Sequence, residues 1–262
     1  MSLVFLFYTH SDYSDIWTIV SDTSQIIPKN YKRLIAINSN SPTQPSGYDG
    51  IITYDDTLAY SDRVLSILNE LDAEYVAFIH DNDLLMSFSD TIFIDLFSIV
   101  RNYKIDRCIF GIIGHNNGSI HHSQFSLVKS TNTQTPHFLI PYDVGPSIWK
   151  VQSFKDGLSL IPNTSYRDIE SSAIQKYCGE QLNVYGFALN DPNRPYYVIG
   201  RPFTETFQFL HLFVRGKLYE SYVYMDQEDN FKTLMSKYPA LMNRSINDDS
   251  YSVFHYLCPR TM

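Results

Sequence analysis

A chain of 262 residues with 44% hydrophobic and 18% charged side chains is large enough to bury one sizeable core. Its net charge of −8, with an isoelectric point near 5.4 and no Lys/Arg block, argues against a surface for nucleic acid or anionic lipid, because both need clustered cations. No run approaches the roughly 20 apolar residues of a membrane span, and the apolar stretch at 3–8 is too short for a signal-peptide core.

The first half alternates strand and helix. A buried strand is predicted at 3–8, then a turn at 9–15 in which Asp12 or Ser14 caps a helix through 16–20. A strand at 31–37, a Ser/Pro/Gln/Gly loop at 38–48 and a short strand at 50–54 follow. A helix over 58–71 carries Val64, Leu65, Ile67, Leu68 and Leu71 at helical spacing. A β-rich run from Tyr75 to Ile79 then stops at His80-Asp81-Asn82-Asp83, with Leu84 and Leu85 directly after it.

The second half is less regular. Helices are predicted at 90–103, 146–158, 166–177 and 230–238, strands at 107–113, 124–128, 138–141, 184–188 and 196–199, and a turn at 114–118. A further segment spans 207–217. Strands alternating with helices predict an α/β fold: a Rossmann-type, mostly parallel central sheet flanked by helices, followed by an irregular half. No repeat and no linker divides the chain, so one domain over 1–262 is expected. The cysteines Cys108, Cys178 and Cys258 are far apart and form no CxxC, which reads as reduced thiols of a cytoplasmic compartment. The abundance of Tyr (20) and Phe (17), with frequent Asn and Ile, suits an AT-rich genome, bacterial or viral; in the viral case the compartment is the host cytoplasm.

Asp81 and Asp83 carry the chemical signal. Two carboxylates one residue apart at the carboxyl end of a buried strand are costly to hold together without a partner. A divalent cation is the usual remedy, and hard oxygen ligands suit Mn²⁺ or Mg²⁺. Ligands of open α/β sheets also bind outside the carboxyl ends of the strands. The plain alternative is that the pair caps the following turn.

An α/β half ending in Asp-x-Asp, followed by an irregular half, resembles the GT-A glycosyltransferases, and the order of elements supports this along most of the chain. The resemblance implies a nucleotide-binding half at 1–87, an acceptor and catalytic half at 88–225, and a helix and tail at 226–262. It implies that Asp81 and Asp83 hold a metal bridging the two phosphates of a nucleotide-sugar. Thr9, His10, Asp12, Asn38 and Asp55, at or near the ends of the early strands, would meet the nucleotide, together with Arg63 and Asn82. The segment from Asp143 through Trp149 to Lys150 resembles the acceptor side, where a strand enters a helix, with Trp149 as an acceptor platform. Tyr166 to Glu170 stands where many inverting members carry their catalytic carboxylate, which ranks Glu170 first, Asp168 next and Asp143 after it. His211, Arg215, Gly216 and Lys217 resemble a late segment whose His completes the metal shell and whose basic residues hold the diphosphate.

Each assignment has a plainer counterpart. Asp55 fits a turn, Arg63 a solvated helix, Trp149 the core and His211 a buried hydrogen-bonded position. The function implied is metal-dependent transfer of a sugar from a nucleotide-diphosphate sugar, with UDP favoured, to a hydroxyl of a glycan, a lipid-linked acceptor or a protein. That is a hexosyltransferase of the EC 2.4 type, inverting if a carboxylate such as Glu170 takes the acceptor proton; the oligomeric state stays open. A phosphatase of the haloacid dehalogenase type, a nucleotidyltransferase and a nucleotide-sugar-binding module without turnover are the rivals.

Overall fold

The structure, a computed structural model, describes residues 2–110, 120–130, 142–171, 173–189, 207–211, 213–214, 217–218, 228–239 and 241. In chain order, β1 (Leu3–Tyr8) leads through a 3₁₀ turn at Ser11–Ile16 into α1 (Trp17–Ser24). Then come β2 (Lys32–Asn38), β3 (Gly50–Tyr54), α2 (Tyr60–Asn69), β4 (Tyr75–His80), β5 (Asp83–Phe88) and α3 (Asp90–Asn102). The next elements are β6 (Arg107–Ile109), β7 (Ile120–His121), β8 (Phe125–Lys129), β9 (Ser147–Lys150), α4 (Val151–Ser159), a 3₁₀ turn at Ile169–Ser171 and α5 (Ala173–Gln181). They are followed by β10 (Val184–Leu189), β11 (Phe207–His211), β12 (Phe213–Val214), β13 (Lys217–Leu218) and α6 (Glu228–Lys237).

Nine strands form one sheet in the order β3-β2-β1-β4-β9-β6-β10-β8-β7. The first four are all parallel. Beyond them only β9 and β8 run against the rest. The fold is therefore α/β, with a mostly parallel central sheet. Both faces are covered, which is why β1 and β4 are buried along their whole length. Alternation assigns the faces. Phe5, Phe7, Ala77 and Ile79 pack toward α1, α3 and α6, while Val4, Leu6, Val76 and Phe78 pack toward α2, α4 and α5.

Four local expectations are corrected. Neither Asp12 nor Ser14 caps α1, whose N-cap Ile16 makes no side-chain capping bond, and the 3₁₀ turn before it is capped by His10, its side chain accepting from the Asp12 N–H. The helix expected over 146–158 begins only at Val151, because Ser147–Lys150 is inserted as β9 between β4 and β6. Ile169–Ser171 is a 3₁₀ turn ahead of α5 rather than part of one helix from 166. Asp83–Phe88, read only as a turn with two apolar residues, is a strand that pairs antiparallel with β11. The expected turn at 114–118, the strands at 138–141 and 196–199, and Cys258 lie outside the described residues.

The loop after β2 returns along α1, and Gly47 makes this possible. Its φ is +87° and a Cβ there would stand 2.2 Å from Ser21 Oγ, so a larger residue is excluded twice over. The loop thereby brings Tyr48 against Phe7, with ring centroids 5.6 Å apart.

Candidate functional site

Parallel strands deliver their carboxyl ends to one edge, so the residues following β1, β2, β3 and β4 meet there. Thr9 is the buried junction. Its hydroxyl donates to Asp81 Oδ2 at 2.5 Å and accepts from the Trp17 indole N–H at 2.9 Å, and its carbonyl accepts from the Tyr54 hydroxyl at 2.7 Å. One residue thus ties β1, α1, β3 and the end of β4 together. The Asp81 N–H extends the ladder by donating to the Tyr8 carbonyl at 3.0 Å.

Asp81 is 8% exposed and Asp83 1%. Asp83 opens β5, and its register partner on β11 is His211, so strand pairing carries the late segment to the Asp-x-Asp turn. Between the two carboxylates, Asn82 Oδ1 is buried and has no hydrogen-bond partner among the described residues. An orphaned buried acceptor is costly, and a cation or a donor on a ligand removes that cost.

These oxygens test the fit of a divalent ion. Among the described residues no group of three or more His, Cys, Asp or Glu stands together as a closed metal cage. Mg²⁺ in phosphate-transfer sites is bound by one or two carboxylates plus substrate oxygens, so a two-carboxylate, oxygen-only set fits it. Asp81 and Asp83 are the residues that would hold the ion, with Asn82 Oδ1 beside them. His80 is engaged elsewhere. Its Nδ1–H donates to the Val144 carbonyl at 2.9 Å, which leaves Nε2 to accept from the Tyr60 hydroxyl at 2.7 Å. That hydroxyl stays protonated because burial raises its pKa well above the ordinary value.

A second cluster lies at the ends of β1 and β3. His10 Nδ1 accepts from the Asp12 N–H at 3.1 Å, so Nε2–H faces Asp56 Oδ2 at 3.0 Å. Asp56 Oδ1 lies 2.9 Å from Arg63, whose guanidinium also donates to the Leu58 and Asp56 carbonyls at 2.6 Å each. Asn38 accepts from the Ser11 N–H at 2.8 Å and donates to Ser11 Oγ at 2.9 Å, bracing the turn after β1. The expected nucleotide contacts Thr9, His10, Asn38 and Arg63 therefore share one edge, through partners the sequence did not reveal. Asp12 lies at that edge with an exposed carboxylate. Asp55 takes the turn role: it accepts from the Thr57 N–H and hydroxyl, and these bonds hold its carboxyl below the usual range.

The third group comes from 142–147 and 165–170. Because β9 runs antiparallel to β4 with Ser147 opposite Phe78, the residues before Ser147 pass the end of β4. There Val144 accepts from His80 and gives its N–H to Glu170 Oε1 at 3.0 Å. Glu170 is thus brought beside the end of β4. The other two expected catalytic residues and the expected platform each make contacts that give them a structural role. Asp143 Oδ1 accepts from the buried Arg107 guanidinium and from the Gly145 N–H, so this carboxylate balances a core cation. Asp168 closes its own turn, accepting the Ser165 hydroxyl at 2.6 Å while its N–H donates to Ser165 Oγ at 3.3 Å. Trp149 is 2% exposed, stacked on Phe154 at 4.4 Å with the Arg107 guanidinium 4.8 Å from its ring, and offers no face to a ligand.

Arg107 is the residue that sequence reading missed. It donates to the Asp143 carbonyl at 2.9 Å and to Ser147 Oγ at 3.3 and 3.4 Å, fixing the segment that carries Val144. The signal was its position opening a short strand of otherwise apolar residues. Lys217 lies on β13 opposite Val214, while Arg215 and Gly216 are outside the described residues.

The fold and the edge define an α/β protein with buried carboxylates at the carboxyl ends of its parallel strands. No family model matches the chain, and no curated protein matches it. Solved structures with a similar course include TarS 1–349 of S. aureus in complex with UDP, at 14% identity and TM-score 0.46, covering 75% of this chain and 60% of that one. The same TarS fragment with UDP-GlcNAc gives 14% identity and TM-score 0.44, over 75% of this chain and 58% of that one. The 2-C-methyl-D-erythritol 4-phosphate cytidylyltransferase (IspD) of Francisella tularensis gives 13% identity and TM-score 0.43, over 72% of this chain and 91% of that one. This chain therefore spans about 60% of the TarS fragment's length. No helix among the described residues is long and apolar enough to cross a membrane.

Proposed function

We propose that the chain is a metal-dependent glycosyltransferase that moves a sugar from a UDP-sugar to an acceptor hydroxyl. The observation that carries this reading is the turn after β4. There Asp81 and Asp83 are buried carboxylates flanking the Asn82 amide oxygen, which has no hydrogen-bond partner among the described residues, at the edge where the ends of β1, β2 and β3 also converge. Asp81 and Asp83 hold Mn²⁺ or Mg²⁺, which when bound supplies neutralisation of the charge that builds on the leaving diphosphate. Thr9 orients Asp81 through its hydroxyl. His10, Arg63 and Asn38 line the nucleotide side, with Asp56 holding the first two in place. His211, Arg215 and Lys217 of the late segment add to that neutralisation. Glu170, oriented by the Val144 N–H, takes the acceptor proton, which makes the reaction inverting.

The test is a thermal-shift screen of UDP, GDP, dTDP and CMP with Mn²⁺, Mg²⁺ or EDTA, on the wild type and on Asp83→Ala. A ligand that binds only the native state raises Tm. The expected result is a metal-dependent shift with UDP that disappears in Asp83→Ala. No shift with any nucleotide, in protein shown to be folded, would remove the reading.

A further inference from the structure

The chain has two tryptophans. Trp149 belongs to the core, whereas Trp17, the first residue of α1 and also buried, aims its indole at the Asp-x-Asp end of the sheet. Its N–H donates at 2.9 Å to Oγ1 of Thr9, and that hydroxyl donates at 2.5 Å to Asp81 Oδ2.

A threonine hydroxyl carries one hydrogen and two lone pairs. Two acceptors compete for the hydrogen of Thr9: Asp81 Oδ2 and, at 3.5 Å, the His10 carbonyl. The bond to the carboxylate is short and charge-assisted, so it wins. An indole nitrogen donates only, so Trp17 occupies a lone pair of Thr9 and turns the hydroxyl hydrogen away from itself, toward Asp81. Accepting a hydrogen bond also strengthens the bond that the same hydroxyl donates. A carboxylate torsion is otherwise broad. Both ends of the chain are anchored: Tyr54 holds the Thr9 carbonyl at 2.7 Å, and the turn leading to Trp17 is tied to Asn38 through Ser11. Trp17, Thr9 and Asp81 thus form a buried relay that orders the carboxylate before an ion arrives.

We propose that Trp17 is a positioning residue for the divalent ion, acting through Thr9 to pre-orient Asp81. Groups behind a metal ligand that fix its orientation carry a large share of metal affinity. The inference rests on the reading of Asp81 and Asp83 as ion ligands.

The experiment is a double-mutant cycle on Mn²⁺ affinity, read without nucleotide or turnover from the EPR signal of the free ion. It uses the wild type, Trp17→Phe, Thr9→Val and the double variant. Trp17→Phe keeps an aromatic ring and loses the N–H; Thr9→Val keeps the branched shape and loses the hydroxyl. Thr9→Val should weaken Mn²⁺ binding about ten- to a hundredfold, as loss of an orienting partner does. Trp17→Phe should weaken it about two- to tenfold, the worth of one hydrogen bond. In the Thr9→Val background, Trp17→Phe should weaken it no further. In ¹⁵N spectra the Trp17 indole signal, identified by its loss in Trp17→Phe, should move when Mg²⁺ is added to the wild type. Unchanged Mn²⁺ affinity in Trp17→Phe overturns the proposal. So does an equal loss with and without the Thr9 hydroxyl, which would make Trp17 a packing residue only. An indole signal unmoved by Mg²⁺ overturns it without recourse to the Thr9 variant. A wild type that binds no Mn²⁺ is a different result, which removes the ion site and with it both the proposed function and this inference.

Discussion

Asp143→Ala separates a structural carboxylate from a catalytic one. The Arg107 side chain is fully buried against the rings of Tyr142 and Trp149, with its guanidinium 5.3 and 4.8 Å from their centres. Removing one partner of a wholly buried ion pair costs about 3–5 kcal/mol, since the remaining charge is left uncompensated. Two features reduce that here. The Asp143 side chain is 35% exposed, and Arg107 keeps the Asp143 carbonyl and the Ser147 hydroxyl as acceptors. The expected loss is therefore about 2 kcal/mol, near the worth of a hydrogen bond to a charged group. That corresponds to about 4–8 °C in Tm for a chain of this size. Asp143→Asn retains an acceptor oxygen and should lose about half as much. Arg107→Met combined with Asp143→Ala should lose less than the sum of the single changes, by about 1–3 kcal/mol, because the two groups touch. Urea unfolding midpoints at constant m-value measure all four. An unchanged midpoint in Asp143→Ala, together with loss of sugar transfer, would refute the structural assignment and return Asp143 to the reaction.

Other expectations follow from the same contacts. Trp149→Ala should cost about 3–5 kcal/mol as a core truncation, with UDP affinity unchanged in the folded fraction; full stability with weakened saccharide binding would contradict its core role. His80→Asn can still donate to Val144 from its amide but leaves the Tyr60 hydroxyl unpaired. It should lose about 1–3 kcal/mol in a denaturant titration while keeping metal-dependent UDP binding, and His80→Gln, which lacks the short reach to Val144, should weaken transfer more than binding. Burial pushes the Cys108 and Cys178 thiols up to about 12, so neither should react with iodoacetamide at neutral pH until urea unfolds the chain; peptide mass spectrometry reads this directly, and native labelling of either would contradict their burial. The Tyr238 hydroxyl, and then Lys237, hold the Asp22 carboxyl below its usual range. A depressed carboxyl stabilises above its unfolded pKa and loses that contribution as pH falls through the folded value. Hydrogen-exchange protection of α6 should therefore drop below about pH 4, and should lose this dependence in Asp22→Asn.

The parallel part of the sheet is legible in the sequence because each of β1 to β4 is an apolar run bounded by turn residues, and burial on both faces demands little more. The Asp-x-Asp turn is legible for the same reason: carboxylates that follow a buried strand have few places to go. Short strands are different. Ser147–Lys150 carries apolar residues that fit a helical spacing into Val151, and only its insertion between β4 and β6 makes it β9. β5 likewise exists through its pairing with β11, which comes from far along the chain.

For the site, strand-end position singled out Asp81 and Asp83, while Thr9, His10 and Glu170 were expectations of the family resemblance. Neither showed that Trp149 lies in the core or that Asp143 pairs with Arg107. By itself the sequence determined the α/β class and the edge at which the Asp-x-Asp carboxylates stand, because hydrophobic periodicity and turn residues are local properties. Only the tertiary structure decided which aromatic ring meets solvent, which carboxylate neutralises Arg107 and which residues meet the Asp-x-Asp turn. Burial, ion pairing and strand register are set by neighbours that are remote in the chain.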